Sequence, residues 1–305
     1  MKITLGLPTH KVHSFAELCS AAAITEIASA AEAGGVDAVF VTDHPMPADP
    51  WLASGGHHAL DPFVALSFAA AATSALRLHT NLLVLAYRNP FVSAKAVATL
   101  DALSGGRVIL GVGAGYLQGE FDALGVGFDT RNDLTDEAIV AMRRAWTGES
   151  VVAAGFGWSA AGNTALPRPV QRPGPPIWIG GNSRRAIRRA VDLADGWMPM
   201  PSPAGSESRL KTPAITSLDA LAERLQYAKD YAAEVGRTDP FEVVFMPVGL
   251  DMFTKAQLDP GPVVDGILAM AEVGVTYCAL TLPGDTRAEF LANVAVLAES
   301  VVPVV

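Results

Sequence analysis

Half of this 305-residue chain is hydrophobic and only 17% is charged, a composition that excludes long disordered tails and fits one large barrel or two smaller domains. A formal net charge of -9 with a pI near 5.1 argues against nucleic acid or an anionic membrane surface as a partner. Cys19 and Cys278 are too far apart in sequence to signal a motif and read as reduced core thiols. With no cleavable leader and no run of about 18 apolar residues, a cytoplasmic protein that does not span a membrane is expected.

Taken in order, Lys2 to Leu7 reads as a strand ending at Pro8, followed by a polar loop with His10 and His13. An alanine-rich helix runs from Ala22 to Ala33 and stops at Gly34-Gly35. Ala38 to Val41 is a short apolar strand of the kind buried on both faces, and it ends in Thr42-Asp43-His44-Pro45. The loop from Pro45 to Leu60 carries Trp51 and His57-His58 and leads to a helix capped by Asp61 with Pro62 at its first position. Leu76 to Leu85 and Arg107 to Gly111 are the next strands, separated by a helix that ends at Leu103. Gly113-Ala-Gly-Tyr116 follows, then helices over Gly119 to Leu124 and Arg131 to Trp146, and a glycine- and proline-rich stretch from Val151 to Val170 with room for a hairpin. Ile177 to Ile179 and Asp195 to Met200 are strands, and Pro201 to Thr216 is an unperiodic, mobile insertion. Helices over Ser217 to Val235, Pro262 to Val273 and Thr286 to Val301 alternate with strands Glu242 to Val248 and Tyr277 to Leu282.

Eight alternating strand-helix units predict a single (β/α)8 barrel, a TIM barrel with loop insertions at the C-terminal face of the strands, spanning residues 1–305. Ligands of such barrels sit at that face, so the residues just after each strand are the candidates. Asp43 and His44 are the adjacent ionisable pair there; a histidine can move a proton near neutral pH, or simply cap a strand end. The segment Pro176 to Arg189 breaks a strand at Gly180-Gly181 and opens a helix capped by Asn182 or Ser183. Six arginines and no acid lie between Arg168 and Val191. Arg184 and Arg185 would oppose the helix dipole unless an anion is bound there, so the segment reads as a phosphate site or as an ordinary capped helix with solvated arginines. Gly111-Val-Gly-Ala-Gly115 is a second glycine turn, without the dinucleotide fingerprint. His57-His58 and His10-x-x-His13 lack the carboxylate or thiolate company of a metal site, and no metal is expected. No G-x-S-x-G is present to indicate a hydrolase. Among the tryptophans, Trp51 is the candidate to cover a bound ring.

Phe40-Val-Thr-Asp-His44, the run from Asn89-Pro90 through Lys95 to Leu100-Asp-Ala-Leu-Ser-Gly-Gly-Arg107, Leu110-Gly-Val-Gly-Ala-Gly115 and Ile177-Trp-Ile-Gly-Gly181 together resemble the bacterial luciferase-like monooxygenase superfamily. Within it the chain is similar to the coenzyme F420-dependent oxidoreductases, and the resemblance covers nearly the whole chain. It implies F420 as cofactor, with FMN the alternative, and hydride transfer between the deazaflavin C5 and a small organic substrate. It further implies Asp43 against the ring system, His44 beside the reacting carbon, and a non-proline cis bond at Asn81-Leu82 behind the ring. Gly115, Tyr116, Gly180, Gly181, Asn182 and Ser183 match the phosphate cradle. Tyr116 stands where a glucose 6-phosphate dehydrogenase of this superfamily has an acidic catalytic residue. That departure argues against sugar phosphate as substrate and leaves Tyr116 as a proton donor or a wall. The resemblance also implies a homodimer. An FMN-dependent monooxygenase, a non-catalytic flavin carrier and an isomerase of a phosphorylated metabolite remain the alternatives.

Overall fold

Short apolar runs bounded by glycine, proline or aspartate become strands covered on both faces. In the computed structural model, which describes residues 1–249 and 257–305, these are β1 (Lys2–Gly6), β2 (Ala38–Val41), β3 (Arg77–Thr80), β4 (Leu83–Val84), β5 (Val108–Gly113), β6 (Val151–Gly155), β7 (Trp158–Asn163), β8 (Ile177–Gly180), β9 (Gly196–Met198), β10 (Glu242–Phe245) and β11 (Tyr277–Leu280). Parallel pairing runs β1-β2-β3-β5-β8-β9-β10-β11 and returns from β11 to β1, with Leu5 opposite Leu280. The result is the closed eight-stranded barrel expected. β6 and β7 form a separate antiparallel hairpin.

Helices α1 (Ala21–Ala33), α2 (Asp49–Ala53), α3 (Pro62–Ala72), α4 (Pro90–Ser104), α5 (Gln118–Ala123), α6 (Arg131–Trp146), α7 (Arg184–Leu193), α8 (Glu207–Leu210), α9 (Leu218–Glu234), α10 (Pro260–Glu272) and α11 (Arg287–Ser300) fill the connections. Their starts follow side-chain capping: Asp61 accepts from the first turn of α3, Asn89 from α4, Ser217 from α9, and Thr286 with Glu289 forms a capping box at α11. At the N-terminal end of the barrel, Asp101 accepts from Val170 N and Gln171 Nε2, and Arg107 donates to the Leu76 and Ala70 carbonyls. The Leu100–Arg107 motif therefore braces the barrel floor, opposite the ligand face.

Several expectations change. The strand read from Leu76 to Leu85 is two, β3 and β4, interrupted by a cis Asn81–Leu82 peptide. The strand-length apolar run conceals the break because both pieces are buried. The loop from Pro45 to Leu60 contains α2, and the insertion from Pro201 to Thr216 is ordered into α8 and a Ser202–Ile215 bridge. The strands expected to reach Met200 and Val248 end at Met198 and Phe245.

Alternation along the strands divides the core. Phe40, Ile109, Trp178, Val244 and Tyr277 fill the barrel, while Val39, Val41, Leu110 and Ile179 face the helices. His79 also lies inside, fully buried, with Nδ1 3.4 Å from Thr4 Oγ1 and no partner for Nε2 among the described residues. Burial, and then Arg77, push its pKa from the ordinary 6.5 down to about 3. A lowered imidazole pKa means that the unfolded chain binds the proton first. The stabilisation is present above pH 6.5 and is lost as pH falls from there toward 3, by about 1.4 kcal/mol per pH unit. Thermal unfolding of wild type and His79→Gln should show a steeper acid decline in wild type below pH 6.5; parallel curves would remove His79 as a cause.

Candidate active site

At the C-terminal end of β2 the chain turns sharply and presents Asp43 and His44. Asp43 is buried, and its carboxylate is engaged by protein: Arg88 donates to both oxygens at 2.6 and 2.9 Å, and Val84 N donates at 3.1 Å. Asp43 thus anchors the segment just after the cis peptide. Arg88, from the loop before α4, was not singled out by sequence.

His44 turns the other way. Its Nδ1 lies 3.2 Å from Glu120 Oε2 on α5, the Tyr87 hydroxyl donates to the same oxygen at 2.9 Å, and Met46 N donates to Oε1 at 3.2 Å. The Glu120 side chain is 1% exposed. Burial, and then Glu120, raise the Tyr87 and Tyr116 hydroxyls above the usual phenol range, so both keep their protons at neutral pH. Sequence does not single out Glu120, whereas Tyr87 ends the stretch Leu82 to Tyr87 after the third strand and is a candidate by its place alone. The available signal was an acid four residues after Tyr116 on a short helix, too common a pattern to single out.

Aromatic rings enclose His44. Trp51 on α2 lies 4.7 Å from it, His57 5.0 Å and Tyr116 6.3 Å between ring centroids. His10 packs on His57 at 5.6 Å. The two histidine pairs considered for metal thus contribute one ring each to this wall. Burial, and then His57, lower the His10 pKa to about 4, and burial lowers that of His57, so both rings are neutral at physiological pH. Among the described residues no group of three or more His, Cys, Asp or Glu is placed to hold a metal ion. Trp51 lies over His44 rather than over an open ring site.

The glycine turn after β8 lies across the mouth. Gly181 has φ +102°, a conformation that side-chain-bearing residues rarely adopt, and it shares one cleft with Asn81, Leu82, Met198, Met200 and Met246. Ser183, not Asn182, is the N-cap of α7, accepting from Ala186 N at 3.1 Å. Asn182 is fully buried: Nδ2 donates to the Met200 and Pro213 carbonyls, Oδ1 accepts from Met200 N, and its own N donates to Thr212 Oγ1. Its backbone N–H is therefore taken. Ser183 Oγ takes the Ala186 N–H, and among the described residues no partner meets the N–H groups of Ser183, Arg184 and Arg185. After the neighbouring strand β5, Gly115 has φ +79° and packs on Phe121, leading into Tyr116.

The arginine cluster reads differently in three dimensions. Arg185 pairs with Asp133 and Asp136 of α6, Arg189 with Asp136, while Arg188 donates to the Tyr227 hydroxyl of α9 and Arg184 lies over the Tyr227 ring. Acids from a neighbouring helix relieve the dipole conflict, so these cations require no bound anion. The sequence hid this because the acids lie some 50 residues upstream.

The two glycine turns, the cis break and the ringed histidine occupy one barrel end. A family model described as luciferase-like monooxygenase matches residues 5–246. An uncharacterized protein of Mycobacterium tuberculosis is 32% identical over 257 residues, covering 84% of this chain and 81% of the relative. An F420-dependent glucose-6-phosphate dehydrogenase of Beutenbergia cavernae is 30% identical over 313 residues, covering 90% of each. The crystal structure of monooxygenase RslO1 from Streptomyces bottropensis superposes with a TM-score of 0.79 at 22% identity, covering 99% of both chains. No helix among the described residues is long and apolar enough to cross a membrane. The chain belongs to the luciferase-like monooxygenase family.

Proposed function

We propose that this protein is an F420-dependent oxidoreductase that transfers a hydride between C5 of the deazaflavin and a small organic substrate. The observation that carries the reading is the single cleft in which the Asn81–Leu82 bulge and the Gly181 turn meet, at the barrel end that also holds His44. The similarity to an F420-dependent dehydrogenase over 90% of the chain supports it. The residues suit such a cofactor. The turn at Gly181 leaves room for close backbone approach, and Ser183 and the first turn of α7 offer N–H groups to a phosphate. Leu82 and the methionines around it give an apolar floor for a ring.

When bound, the deazaflavin supplies a carbon centre that exchanges a hydride. The chain does the rest. Gly115, Gly180, Gly181 and Ser183 would hold the phosphate, and Asn182 keeps the turn in shape through its bonds to Met200, Thr212 and Pro213. Asp43, with Arg88, fixes the bulge formed by Asn81 and Leu82, against which the ring would rest. His44 moves the proton that accompanies the hydride, and Tyr116, protonated at neutral pH, orients the substrate oxygen. Trp51, His57 and Tyr116 keep water from His44.

Fluorescence titration of the purified protein with F420 and, separately, with FMN tests the reading. Tight binding of F420 with weak binding of FMN is expected; preference for FMN would redirect the assignment to oxygen-dependent oxidation, and binding of neither would end it.

A further inference from the structure

Glu120 is a buried carboxylate that three donors approach and that, among the described residues, pairs with no lysine or arginine. Met46 N is a backbone donor fixed in place and meets Oε1, while the Tyr87 hydroxyl and His44 Nδ1 both meet Oε2. An ionised carboxylate only accepts, so the bond at 3.2 Å puts a proton on Nδ1 of His44. Nε2, the other ring nitrogen, then carries the lone pair, and no hydrogen-bond partner among the described residues meets it. Asp43 does not compete for the ring, being engaged by Arg88 and Val84. Tyr116 and His57 approach as neutral rings. Histidine side chains act through the nitrogen that faces the reaction, and the partner of the opposite nitrogen decides which form that is.

We infer that Glu120 is the positioning residue that makes His44 a base: by holding Nδ1–H it leaves Nε2 free to take a proton from a substrate hydroxyl. The inference rests on the reading of His44 as the residue that moves the proton. In the oxidative direction a carbinol C–H bond breaks, its electron pair leaving with the hydrogen as hydride to the deazaflavin. The hydroxyl O–H bond breaks, the carbonyl forms, and the hydroxyl proton goes to Nε2. The imidazolium so formed lies against the Glu120 carboxylate, which stabilises it without itself being protonated. Tyr87 shares the load on Oε2 and keeps the carboxylate oriented. In the reverse direction the same imidazolium returns the proton to the carbonyl oxygen as hydride arrives.

Glu120→Gln separates this role from packing, since it keeps shape and size. Met46 N can only donate, so the amide oxygen must occupy the Oε1 position and the amide NH2 the Oε2 position. That NH2 donates to Nδ1, which drives the ring proton to Nε2 and blocks the base. Two-bond proton-nitrogen NMR correlation on histidine-labelled protein without cofactor reads the tautomer of the neutral ring directly. Wild type and Tyr87→Phe should carry the proton on Nδ1 and Glu120→Gln on Nε2. Turnover of Glu120→Gln should fall about 10³- to 10⁴-fold with cofactor affinity unchanged. An Nε2–H ring in wild type overturns the inference, as does an Nδ1–H ring in Glu120→Gln, or a flipped ring in Tyr87→Phe. The wild-type spectrum alone decides if a variant does not fold. Because the spectra need no cofactor, failure to bind F420 would strike the proposed function and leave the tautomer result standing.

Discussion

Turnover of His44→Ala should be about 100- to 10,000-fold below wild type, the usual worth of a general acid or base, with cofactor affinity within a few-fold. The side chain contacts Glu120, Trp51 and His57 and, among the described residues, makes no hydrogen bond to the glycine turns, so its removal leaves the proposed cradle as it was. Glu120 keeps its bonds from Tyr87 and Met46, which protects the fold from an unpaired buried charge. Steady-state turnover alongside a fluorescence titration checks both halves. Undiminished turnover would remove His44 from the chemistry, while a large loss of cofactor affinity would make it a binding residue instead.

Gly181→Val should weaken cofactor binding about 5- to 150-fold. At φ +102° a Cβ is strained whatever space surrounds it, and here it would also lie 3.3 Å from the Ala186 Cβ. Holding a β-branched residue in that region costs about 1–3 kcal/mol. The chain relieves the strain by rotating the peptide after Gly181, which swings the turn out of register with the first turn of α7. Gly157→Asn is the control: Gly157 also has positive φ, at +73°, but sits in the hairpin with no atom within 4 Å of an added Cβ, and asparagine tolerates that conformation. Equal affinities in Gly181→Val and wild type would refute the cradle; equal losses in both variants would point to general damage.

The barrel was legible because its signals are local. Apolar runs of four to six residues such as Ala38–Val41 and Val108–Gly113 are short, bounded by punctuation and separated by capped helices, and eight such units leave few other architectures. The ends of the strands followed from the fold, so Asp43, His44, Tyr116 and the turn at Gly180-Gly181 could be named as candidates. What escaped is what the fold brings together from afar. Glu120 lies 76 residues from His44 and Arg88 45 residues from Asp43; nothing at either position announces its partner. The arginines of α7 misled for the same reason, their aspartates being on α6. The histidines gave the opposite lesson. His10 and His57, unremarkable as ligands, meet beside His44 through loops whose path no periodicity encodes.

Asn182 carries an implication for redesign. All four polar groups of this residue are committed: its amide to Met200 and Pro213, its N–H to Thr212, and its carbonyl to Arg224. Exchanging the segment between Pro201 and Thr216 for that of a relative would put two of these bonds at risk, those to Pro213 and Thr212, on a fully buried residue beside the Gly181 turn. The Gly181 turn and the 201–216 segment therefore form one hydrogen-bonded unit, to be transplanted together with residue 182 or left alone.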